Sequence, residues 1–427
     1  MKLNLTIARI NQLLVIALVI GLGFSFMSVS PGGAASEIEV NSFIDEAKND
    51  GQCTLREAII AANTNKASGK KPGECISSGA YDSIVLPAGT YTLTKSDSGS
   101  EDSGSTGDLD IREDLTITGA GASTTTIKTV SGFSDRIFHI LNGNAQPSVV
   151  HISGVSLQSG YVKDNGGAIH NAGNLTLSGV DLSGSTAEEH GGAIYNLGSL
   201  ELINSTIANN QAGVAGGGIY NMGNATLVNA TISGNGLTIT KNTLIGGGGY
   251  MNAGGVSTFT NVTFAGNGAN APAGSGGSLR VGSGAVTLQN TLIASAAAGG
   301  NCSGAIISYG HNLSDDDSCG LSGELDDVIV DDARLGSLKD NGGETLTRAL
   351  YLDSPAIDSG ITLDYPQTDQ RGVERPYGAE FDIGAFESSL GGNISWINAQ
   401  EISPGDTPLE VYIDSYGVSR WFKFEVH

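Results

Sequence analysis

The sequence predicts an all-β chain whose main part is a parallel β-helix, and three observations carry this prediction. A phrase that starts with two glycines and ends with an asparagine recurs at a constant spacing, as Gly166–Asn171, Gly191–Asn196 and Gly216–Asn221. A short strand-like segment follows each copy, and no helix-length apolar stripe interrupts the series. A fixed period in this range is typical of stacked structural repeats, each too small to bury its own apolar face.

The segments after each phrase are rich in Val, Ile, Leu, Phe and Thr, and they alternate with the period of two that is typical of strands. A unit of about 25 residues with two or three such strands fits one coil of a parallel β-helix. Weaker copies of the phrase, ending at Asn252 and Val281, extend the series. Stacked coils place equivalent residues about 4.8 Å apart, so letters that repeat at this period predict ladders of like side chains.

One predicted ladder is structural and consists of Asn204, Asn229, Asn261 and Asn290, which hold the same turn position in successive coils. Stacked asparagine side chains can hydrogen-bond along a ladder, and Asn tolerates the left-handed backbone of a tight corner. Several of these residues also match the N-x-Ser/Thr glycosylation pattern. We expect them to be ladder residues and not glycan acceptors.

A second ladder follows from alternation within the phrase. The isoleucine of each copy is expected to stack inside the coils, so the next residue must face outward. These outward residues are His170, Tyr195 and Tyr220, a candidate ligand-contacting stripe. The alternative is that the stripe, like the glycines, is purely architectural.

The N-terminus has the pattern of a secretory signal peptide at residues 1–35. Lys2 and Arg9 flank the start, an apolar run spans Leu13–Met27, and small residues lead to a plausible cleavage site after Ala35. The alternative is a short membrane anchor, but the run is shorter than the ~20 residues that span a bilayer. We therefore predict a secreted or extracellular protein that is associated with the cell surface and does not cross a membrane after cleavage.

The charge of the chain restricts its partners. The formal net charge is −23, and removing Lys2 and Arg9 with the signal peptide makes it −25. A strongly acidic exported protein is not expected to bind nucleic acid or acidic lipid by electrostatics. The same charge argues against an acidic polysaccharide as an unaided ligand. Extracellular glycans or surface proteins are the partners that remain.

Four cysteines fall as two close pairs, Cys53/Cys75 and Cys302/Cys319. An even number in an exported chain predicts disulfides, and pairing within each close pair is favoured over the two other pairings. A zinc site is the alternative, but no CxxC or histidine lies at ligand spacing.

Both ends of a solenoid expose strand edges and need caps. Residues 36–81 are the predicted N-terminal cap: Thr54–Glu57 is a capping box that opens a short helix ending near Asn63–Asn65. Asp82–Thr94 is the predicted first coil, within coils that span residues 82–300. An irregular C-terminal cap is expected over residues 301–387.

Here the sequence resembles known families. CTLREAIIAANT at Cys53–Thr64, Cys75 and a following IVLPAGTY are similar to the domain named for its Cys-Ser-Leu-Arg-Glu-Ala (CSLREA) motif, with Thr54 where that motif has serine. The Gly-Gly-Ala-Ile phrase is similar to the repeats of polymorphic outer membrane proteins. Asn341–Leu350, Ser354–Gly360, Asp369–Pro376 and Asp382–Glu387 together resemble the choice-of-anchor type Q region.

This resemblance covers roughly residues 38–388. It implies a secreted bacterial right-handed parallel β-helix, held at the cell surface by an anchor that varies between members, and it carries no established catalytic residue. Residues 388–395 form a Gly/Ser-rich linker. Residues 396–427 resemble the first strands of a pre-peptidase C-terminal domain, and about 30 residues are too few for such a β-sandwich. We therefore expect a truncated start of a β-sandwich there.

Candidate chemistry on the coils is sparse. Asp164 and Glu189 each precede a Gly-Gly phrase, are one repeat period apart, and are expected to stack on adjacent coils. They are the candidate catalytic pair for a glycoside hydrolase, which needs two carboxylates. The alternative is that both are solvated loop charges. A lyase on acidic sugars would need a basic cluster, which the central coils lack.

Two other charged clusters lie nearer the C-terminus. Asp315, Asp316 and Asp317 form a candidate calcium site because dense carboxylates suit that ion, although the spacing is not that of an EF-hand. A solvated acidic loop is the alternative. Arg371 and Arg375 lie near acidic residues in sequence, and we expect an ion-pair network that closes the last coil. Apart from calcium, no cofactor is predicted.

These observations favour a non-enzymatic secreted or cell-surface protein, an adhesin or envelope scaffold that binds glycans or partner proteins. The first alternative is a polysaccharide lyase or glycoside hydrolase acting on one β-helix face. The second is the stalk of a longer exported enzyme that continues beyond His427. A rigid rod with flat faces and few titratable groups favours binding over acid–base chemistry.

Overall fold

The computed structural model describes residues 36–77, 79, 81–96, 102–143, 146–238 and 245–388, and the backbone of two short strands at Gln400–Glu401 and Phe422–Lys423. The predicted signal peptide lies outside the described residues. So do the linker after Ser388 and the predicted β-sandwich start, apart from those two strands, which pair in parallel. Among the described residues, no helix is long and apolar enough to cross a membrane.

The described chain is an all-β parallel β-helix, as predicted. Its largest sheet, here the long sheet, has 17 strands joined by parallel pairing. Its strands are Ser36–Glu39, Asp82–Leu86, Gly89–Leu93, Leu115–Gly119, Thr125–Thr129, Val149–Ser153, Ser156–Gln158, Asn174–Ser178, Asp181–Ser183, Ser199–Ala208, Asn224–Ser233, Val256–Ala265, Ala285–Gln289, Leu292–Ala294, Ile307–Ser308, Leu313–Ser314 and Val328–Ile329.

Two further parallel sheets complete the coils. The front sheet has eight strands and the short sheet four among the described residues. The front sheet contains Leu109–Ile111, Phe138–Ile140, Ile169–Asn171, Ile194–Asn196, Ile219–Asn221, Tyr250–Asn252, Leu279–Val281 and Cys302–Ser303. The short sheet contains Tyr161–Val162, Thr186–Ala187, Gln211–Ala212 and Gly236–Leu237.

One central coil shows how the sequence forms these elements. Ile194–Asn196 lies in the front sheet, Ser199–Ala208 in the long sheet and Gln211–Ala212 in the short sheet. The long strand bends at Asn204, whose φ is +49°. Asn adopts this left-handed conformation more readily than other non-glycine residues, which explains the asparagine at each such corner.

The isoleucine ladder is confirmed. Ile169, Ile194 and Ile219 are in register in the front sheet and fully buried. Phe138 and Tyr250 continue the stack in the neighbouring coils. Burying each of these side chains contributes about 1.5–3 kcal/mol. The stack thus provides the continuous core that no single coil could form alone.

The predicted asparagine corner is confirmed in its backbone, because Asn204, Asn229, Asn261 and Asn290 have φ values of +48° to +53°. The side chains form less of a ladder than predicted. Only Asn229 Nδ2 donates along the ladder, to Asn204 Oδ1 at 3.1 Å. Asn290 instead exchanges two hydrogen bonds with the backbone of Ile361.

The hydrogen-bonded asparagine ladders lie at other positions of the coil. The final asparagines of the phrase, Asn171, Asn196, Asn221 and Asn252, are fully buried and donate in sequence over 2.6–2.8 Å. A second ladder joins Asn210, Asn235 and Asn267 over 3.0–3.1 Å. At the corners, asparagine is used because it tolerates a positive φ. At these inward positions, both the donor and the acceptor of its side-chain amide are used.

The N-terminal cap is largely as predicted. The helix spans Leu55–Thr64, and Thr54 and Glu57 form the reciprocal capping box. The disulfide Cys53–Cys75 lies beside it. One boundary differs, because Ser36–Glu39 pairs in parallel with Asp82–Val85. The first rung of the ladder therefore precedes the helix, and the coils begin before residue 82.

The region 301–387 is not a single end cap. The coils continue past residue 300, since Leu313–Ser314 and Val328–Ile329 still pair in the long sheet. The disulfide Cys302–Cys319 forms as predicted in this part. A 3₁₀ turn at Gly323–Leu325 and an antiparallel pair, Leu335–Lys339 with Thr347–Leu350, follow.

Residues 345–385 lie alongside the coils and not beyond the last one. Gln370 Nε2 donates to Thr206 Oγ1 at 2.9 Å, and Thr231 Oγ1 donates to Gln370 Oε1 at 2.6 Å. Nearer the last coil, Ala385 N donates to Thr263 Oγ1. Thr206, Thr231 and Thr263 are in register and buried. A column of hydroxyl groups in the long sheet thus binds the returning segment.

The predicted ion-pair network forms within this returning segment and is buried. Arg375 Nη1 lies 3.2 Å from Glu387 Oε2, with both side chains almost fully buried. Arg371 Nη2 lies 2.7 Å from Asp369 Oδ2. Burial and the nearby Glu387 raise the pKa of Asp382 to about 8. The network stabilises the lateral segment and does not close the last coil.

Candidate functional site

The outward side chains of the front sheet form one continuous column, here the front column. Parallel pairing places the predicted stripe His170, Tyr195 and Tyr220 in register. The column continues in both directions beyond the stripe. In coil order it consists of Asp110, His139, His170, Tyr195, Tyr220, Met251, Arg280 and Ser303.

Rings in the column contact each other from coil to coil. The His139 and His170 ring centroids are 4.8 Å apart in an edge-to-face arrangement, and His170 lies 5.2 Å from Tyr195. Tyr195 and Tyr220 stack with centroids 5.5 Å apart and planes 13° from parallel. Rings stacked along the coil axis cover each other's faces, so they present edges and polar tips outward.

A third histidine reaches the column from the adjacent corner. The His190 ring lies 4.3 Å from the Tyr220 ring. His139, His170 and His190 are three of the six histidines in the chain. Imidazole and phenol groups therefore concentrate on one face, although the sequence predicted a rod with few titratable groups.

Burial controls the ionisation of this face. Desolvation, with repulsion from His139 and Arg136, lowers the pKa of His170 to about 3, so this imidazole is neutral at physiological pH. Burial also raises the pKa of Tyr220, and burial together with Tyr220 and Asp164 raises that of Tyr195. The front column thus offers neutral hydrogen-bonding groups and no charge at His170, Tyr195 or Tyr220.

At one end of the column, carboxylates and an imidazole converge. Asp102, Asp110 and His139 each offer one ligand atom, and these three atoms lie within 4.8 Å of one another. His139 Nδ1 is 3.3 Å from Asp110 Oδ1. Asp110 is fully buried, His139 is half-buried and Asp102 is exposed. We call this set the Asp–Asp–His cluster.

The surroundings of the Asp–Asp–His cluster are strongly acidic. Asp108 is buried beside Asp135 and Asp110, and burial with these two carboxylates raises the pKa of Asp108 to about 8. Arg136 Nη1 offsets part of this charge, at 3.0 Å from Asp108 Oδ2. The end of the column is therefore a region of negative potential.

A cleft opens beside the cluster and has a volume of about 290 Å³. Asp102 belongs to both the cluster and the wall of the cleft. The lining residues are Asn63, Asp102, Arg112, Glu113, Leu141, Asn142 and Gly143. A small polar ligand entering this cleft would reach the exposed side of Asp102.

The predicted pair Asp164 and Glu189 lies on adjacent coils, where Glu189 N donates to Asp164 O at 3.1 Å. Asp164 is exposed and its Oδ1 accepts from Asn165 Nδ2 at 2.7 Å. Its charge acts on Tyr195, so it lies close to the front column. The stacking is as expected, and a catalytic role of the pair stays a prediction.

The Asp315–Asp317 loop has a structural use. Asp315 Oδ1 accepts from Asn301 Nδ2 at 2.6 Å, and Asp316 Oδ2 accepts from Asn301 N at 2.8 Å. Asp316 Oδ1 accepts from Ser318 as well. These contacts hold the chain beside the Cys302–Cys319 disulfide. Within the described parts of the chain, the metal-ligand grouping of three or more residues is the Asp–Asp–His cluster and not this loop.

Sequence reasoning missed Asp102, Asp110 and His139 because no repeat marks them. The front strand containing His139 precedes the one containing His170 by more than one regular period, and the coils before it lack the Gly-Gly phrase. An alternating segment at Phe138–Ile140 was the available signal, but its register with later coils depends on the lengths of the intervening turns.

A separate titratable group, Asp181, sits in the long sheet between Ser156 and Thr206. Burial raises its pKa to about 6, and no described residue donates a hydrogen bond to its Oδ1. Ionising this carboxyl therefore destabilises the folded state, and the cost grows as the pH rises from about 4 to about 6.

We expect Asp181→Asn to stabilise the fold by about 1–2 kcal/mol at pH 8, because the amide removes the cost of a buried charge. The gain should shrink as the pH falls below about 6 and be small at pH 4, where the folded-state carboxyl is protonated and the unfolded-state carboxyl is about half protonated. Urea unfolding at pH 4, 6 and 8 measures this. Asp331→Asn, at an exposed position, is the matched control. A gain that does not change with pH would contradict the assignment.

No protein-family model and no curated protein matches this chain. Among solved structures, pectate lyase Pel9A is similar with a TM-score of 0.37 and 14% identity, over 83% of this chain and 97% of that chain. The A-module of the Azotobacter vinelandii mannuronan C-5 epimerase AlgE4 is similar with a TM-score of 0.31 and 16% identity, over 65% and 81%. The A-module of the Azotobacter vinelandii mannuronan C-5 epimerase AlgE6 is similar with a TM-score of 0.29 and 19% identity, over 63% of this chain and 77% of that chain.

Proposed function

We propose that this protein is an exported or cell-surface β-helix protein, an adhesin or envelope scaffold, that binds extracellular glycans through the front column. The observation that carries the proposal is the coil-to-coil contact of His170, Tyr195 and Tyr220 on one face. Two disulfides support export, since such bonds persist in oxidising compartments.

The chemistry of the column favours a hydroxyl-rich polymer. The rings present edges, so recognition relies on their polar groups, and Tyr195 Oη already donates to Met222 Sδ at 3.2 Å. Neutral imidazole and phenol groups both donate and accept hydrogen bonds. They recur at the spacing of the coils, which suits a ligand with repeated hydroxyl groups. The net charge of −23 favours a neutral glycan over an acidic one.

The double change Tyr195→Ala and Tyr220→Ala is expected to weaken binding to a neutral glycan at least tenfold, because both phenol hydroxyls and the stacked surface are lost. The measurement is retention and affinity of the purified chain on a panel of neutral and acidic polysaccharides. Thr226→Ala, at an exposed site on the long sheet, is the control and should bind normally.

The double Phe variant at the same two positions separates the two contributions. It keeps the stacked rings and removes the hydroxyls, so a loss close to that of the Ala variant would assign recognition to hydrogen bonding. Undiminished binding by both folded variants would overturn the front column as the glycan site. If the chain instead binds a partner protein preferentially and the Ala variant loses that binding, the front column remains the binding site but its ligand is a protein and not a glycan.

A second candidate function is a polysaccharide lyase or glycoside hydrolase acting on this face. It is favoured by the three imidazoles and two phenols along this face, with His139 beside His170 and His190 beside Tyr220, since such groups transfer protons in acid–base reactions. The assay is release of new sugar ends by the purified chain. New ends that disappear in Asp164→Ala or Glu189→Ala would establish catalysis and displace the adhesin proposal.

A further inference from the structure

We propose that Asp102, Asp110 and His139 bind one divalent transition-metal ion, Mn²⁺ or Zn²⁺, at the end of the front column. This site is separate from the acidic loop at Asp315–Asp317. The inference does not depend on the proposed glycan-binding function, because it concerns the ion alone.

The ligand geometry is close to that of a metal site. Metal–nitrogen and metal–oxygen bonds in proteins are about 2.0–2.2 Å, so two neighbouring ligand atoms lie roughly 3.0–3.5 Å apart. His139 Nδ1 and Asp110 Oδ1 are 3.3 Å apart. All three ligand atoms fall within 4.8 Å. Asp102 is exposed, so its side chain can close the remaining gap without moving the core.

The two inner ligands are held in place by the fold. Asp110 Oδ2 accepts from Gly104 N at 2.9 Å, which orients the carboxylate. His139 is fixed by its strand and by the edge-to-face contact with His170. Asn63 Nδ2 donates to the Asp110 carbonyl oxygen at 2.6 Å, which ties the strand to the capping helix. Such supporting contacts around ligands are typical of metal sites.

Local charge and access also favour a cation. The carboxyl side chains of Asp108 and Asp135 lie beside the ligand Asp110, and Arg136 pairs with Asp108 only. A divalent ion would offset this excess of negative charge. The cleft of about 290 Å³ beside Asp102 gives the ion a route of entry and leaves coordination positions open to water.

The donor set indicates the ion. One imidazole nitrogen with two carboxylate oxygens suits Zn²⁺, Mn²⁺ and similar ions, since imidazole is a ligand for transition metals. Calcium takes six to eight oxygen ligands and is less suited to a site with a nitrogen and three protein ligands.

The test measures Mn²⁺ and Zn²⁺ binding to the full chain, produced without a polyhistidine tag and stripped with a chelator. Electron paramagnetic resonance of free Mn²⁺ and isothermal titration calorimetry with Zn²⁺ report stoichiometry and affinity. We expect one ion per chain with micromolar or tighter affinity. His139→Gln and Asp102→Asn should each weaken binding at least tenfold.

Asp102 is exposed, so Asp102→Asn keeps the test decisive if His139→Gln fails to fold; circular dichroism checks folding. Asp316→Asn is the matched control and should leave Mn²⁺ binding unchanged. Absence of Mn²⁺ and Zn²⁺ binding by the folded wild type at millimolar concentration would overturn the proposal. So would binding that Asp316→Asn removes and His139→Gln spares.

Discussion

Arg56→Met is expected to lower the free energy of unfolding by about 3–5 kcal/mol, because the buried Asp45 carboxylate loses its cationic partner and keeps only the backbone amides of Thr94 and Lys95. Arg56 Nε lies 2.6 Å from Asp45 Oδ1, with 1% and 2% of the two side chains exposed. Its remaining donors bond the carbonyl oxygens of Gly104, Gly107 and Asp108 at 2.8–3.2 Å. All of these acceptors would lose their donor at once.

Arg334→Met is the matched control for this prediction. Arg334 pairs with Asp332 and Asp353, but these side chains are 32–61% exposed, and exposed ion pairs contribute at most about 1 kcal/mol. Urea unfolding followed by circular dichroism compares the two variants. Equal costs would contradict the role of Arg56. Adding Asp45→Asn to Arg56→Met should recover part of the loss, since it removes the orphaned charge.

The residues from Cys53 to Glu57 can each be explained in physical terms. Cys53 forms a disulfide, Thr54 and Glu57 cap the helix, and Leu55 enters the core. Arg56 then reaches from the helix to the loop between Asp102 and Asp110. The capping box could be predicted because it depends on residues close together in sequence, whereas the partners of Arg56 lie far along the chain.

The central coils were predictable because each rung repeats its neighbour. The constant period placed Ile169, Ile194 and Ile219 inside and His170, Tyr195 and Tyr220 outside, and the pairing has this register. Alternation within a strand then determines the face of every residue in the rung. In these coils, two residues separated by one repeat period in sequence are stacked on adjacent coils.

The rest of the structure could not be predicted because it depends on contacts between residues that are not related by the repeat. The returning segment binds Thr206 and Thr231 through Gln370, which follows them much later in the chain, and nothing local predicts that partnership. The Asp–Asp–His cluster needs coils of irregular length to be in register. The asparagine ladders show a third limit, because the sequence shows which asparagines align but not which amide groups face each other.

Asn221→Ala is expected to destabilise the fold by about 2–4 kcal/mol, since it breaks the buried asparagine ladder in its middle and removes several buried hydrogen bonds, at about 0.5–1.5 kcal/mol apiece. Asn221 Oδ1 accepts from Asn196 at 2.6 Å, and its Nδ2 donates to Asn252 at 2.8 Å and to the Gly223 carbonyl oxygen at 2.9 Å. Urea unfolding measures the loss.

Asn261→Ala tests whether the ladder bonds, and not burial or asparagine itself, cause that loss. Asn261 is as fully buried as Asn221, but among the described residues its amide has no hydrogen-bond partner. Its cost should come from the left-handed backbone at φ +53° alone, about 1–2 kcal/mol. If Asn221→Ala proves no more costly than Asn261→Ala, the ladder contributes little beyond filling space. If Asn221→Ala lowers the free energy of unfolding clearly more than Asn261→Ala, the ladder of asparagine amides is a principal interaction between coils. Each added repeat would then extend this ladder by one hydrogen bond.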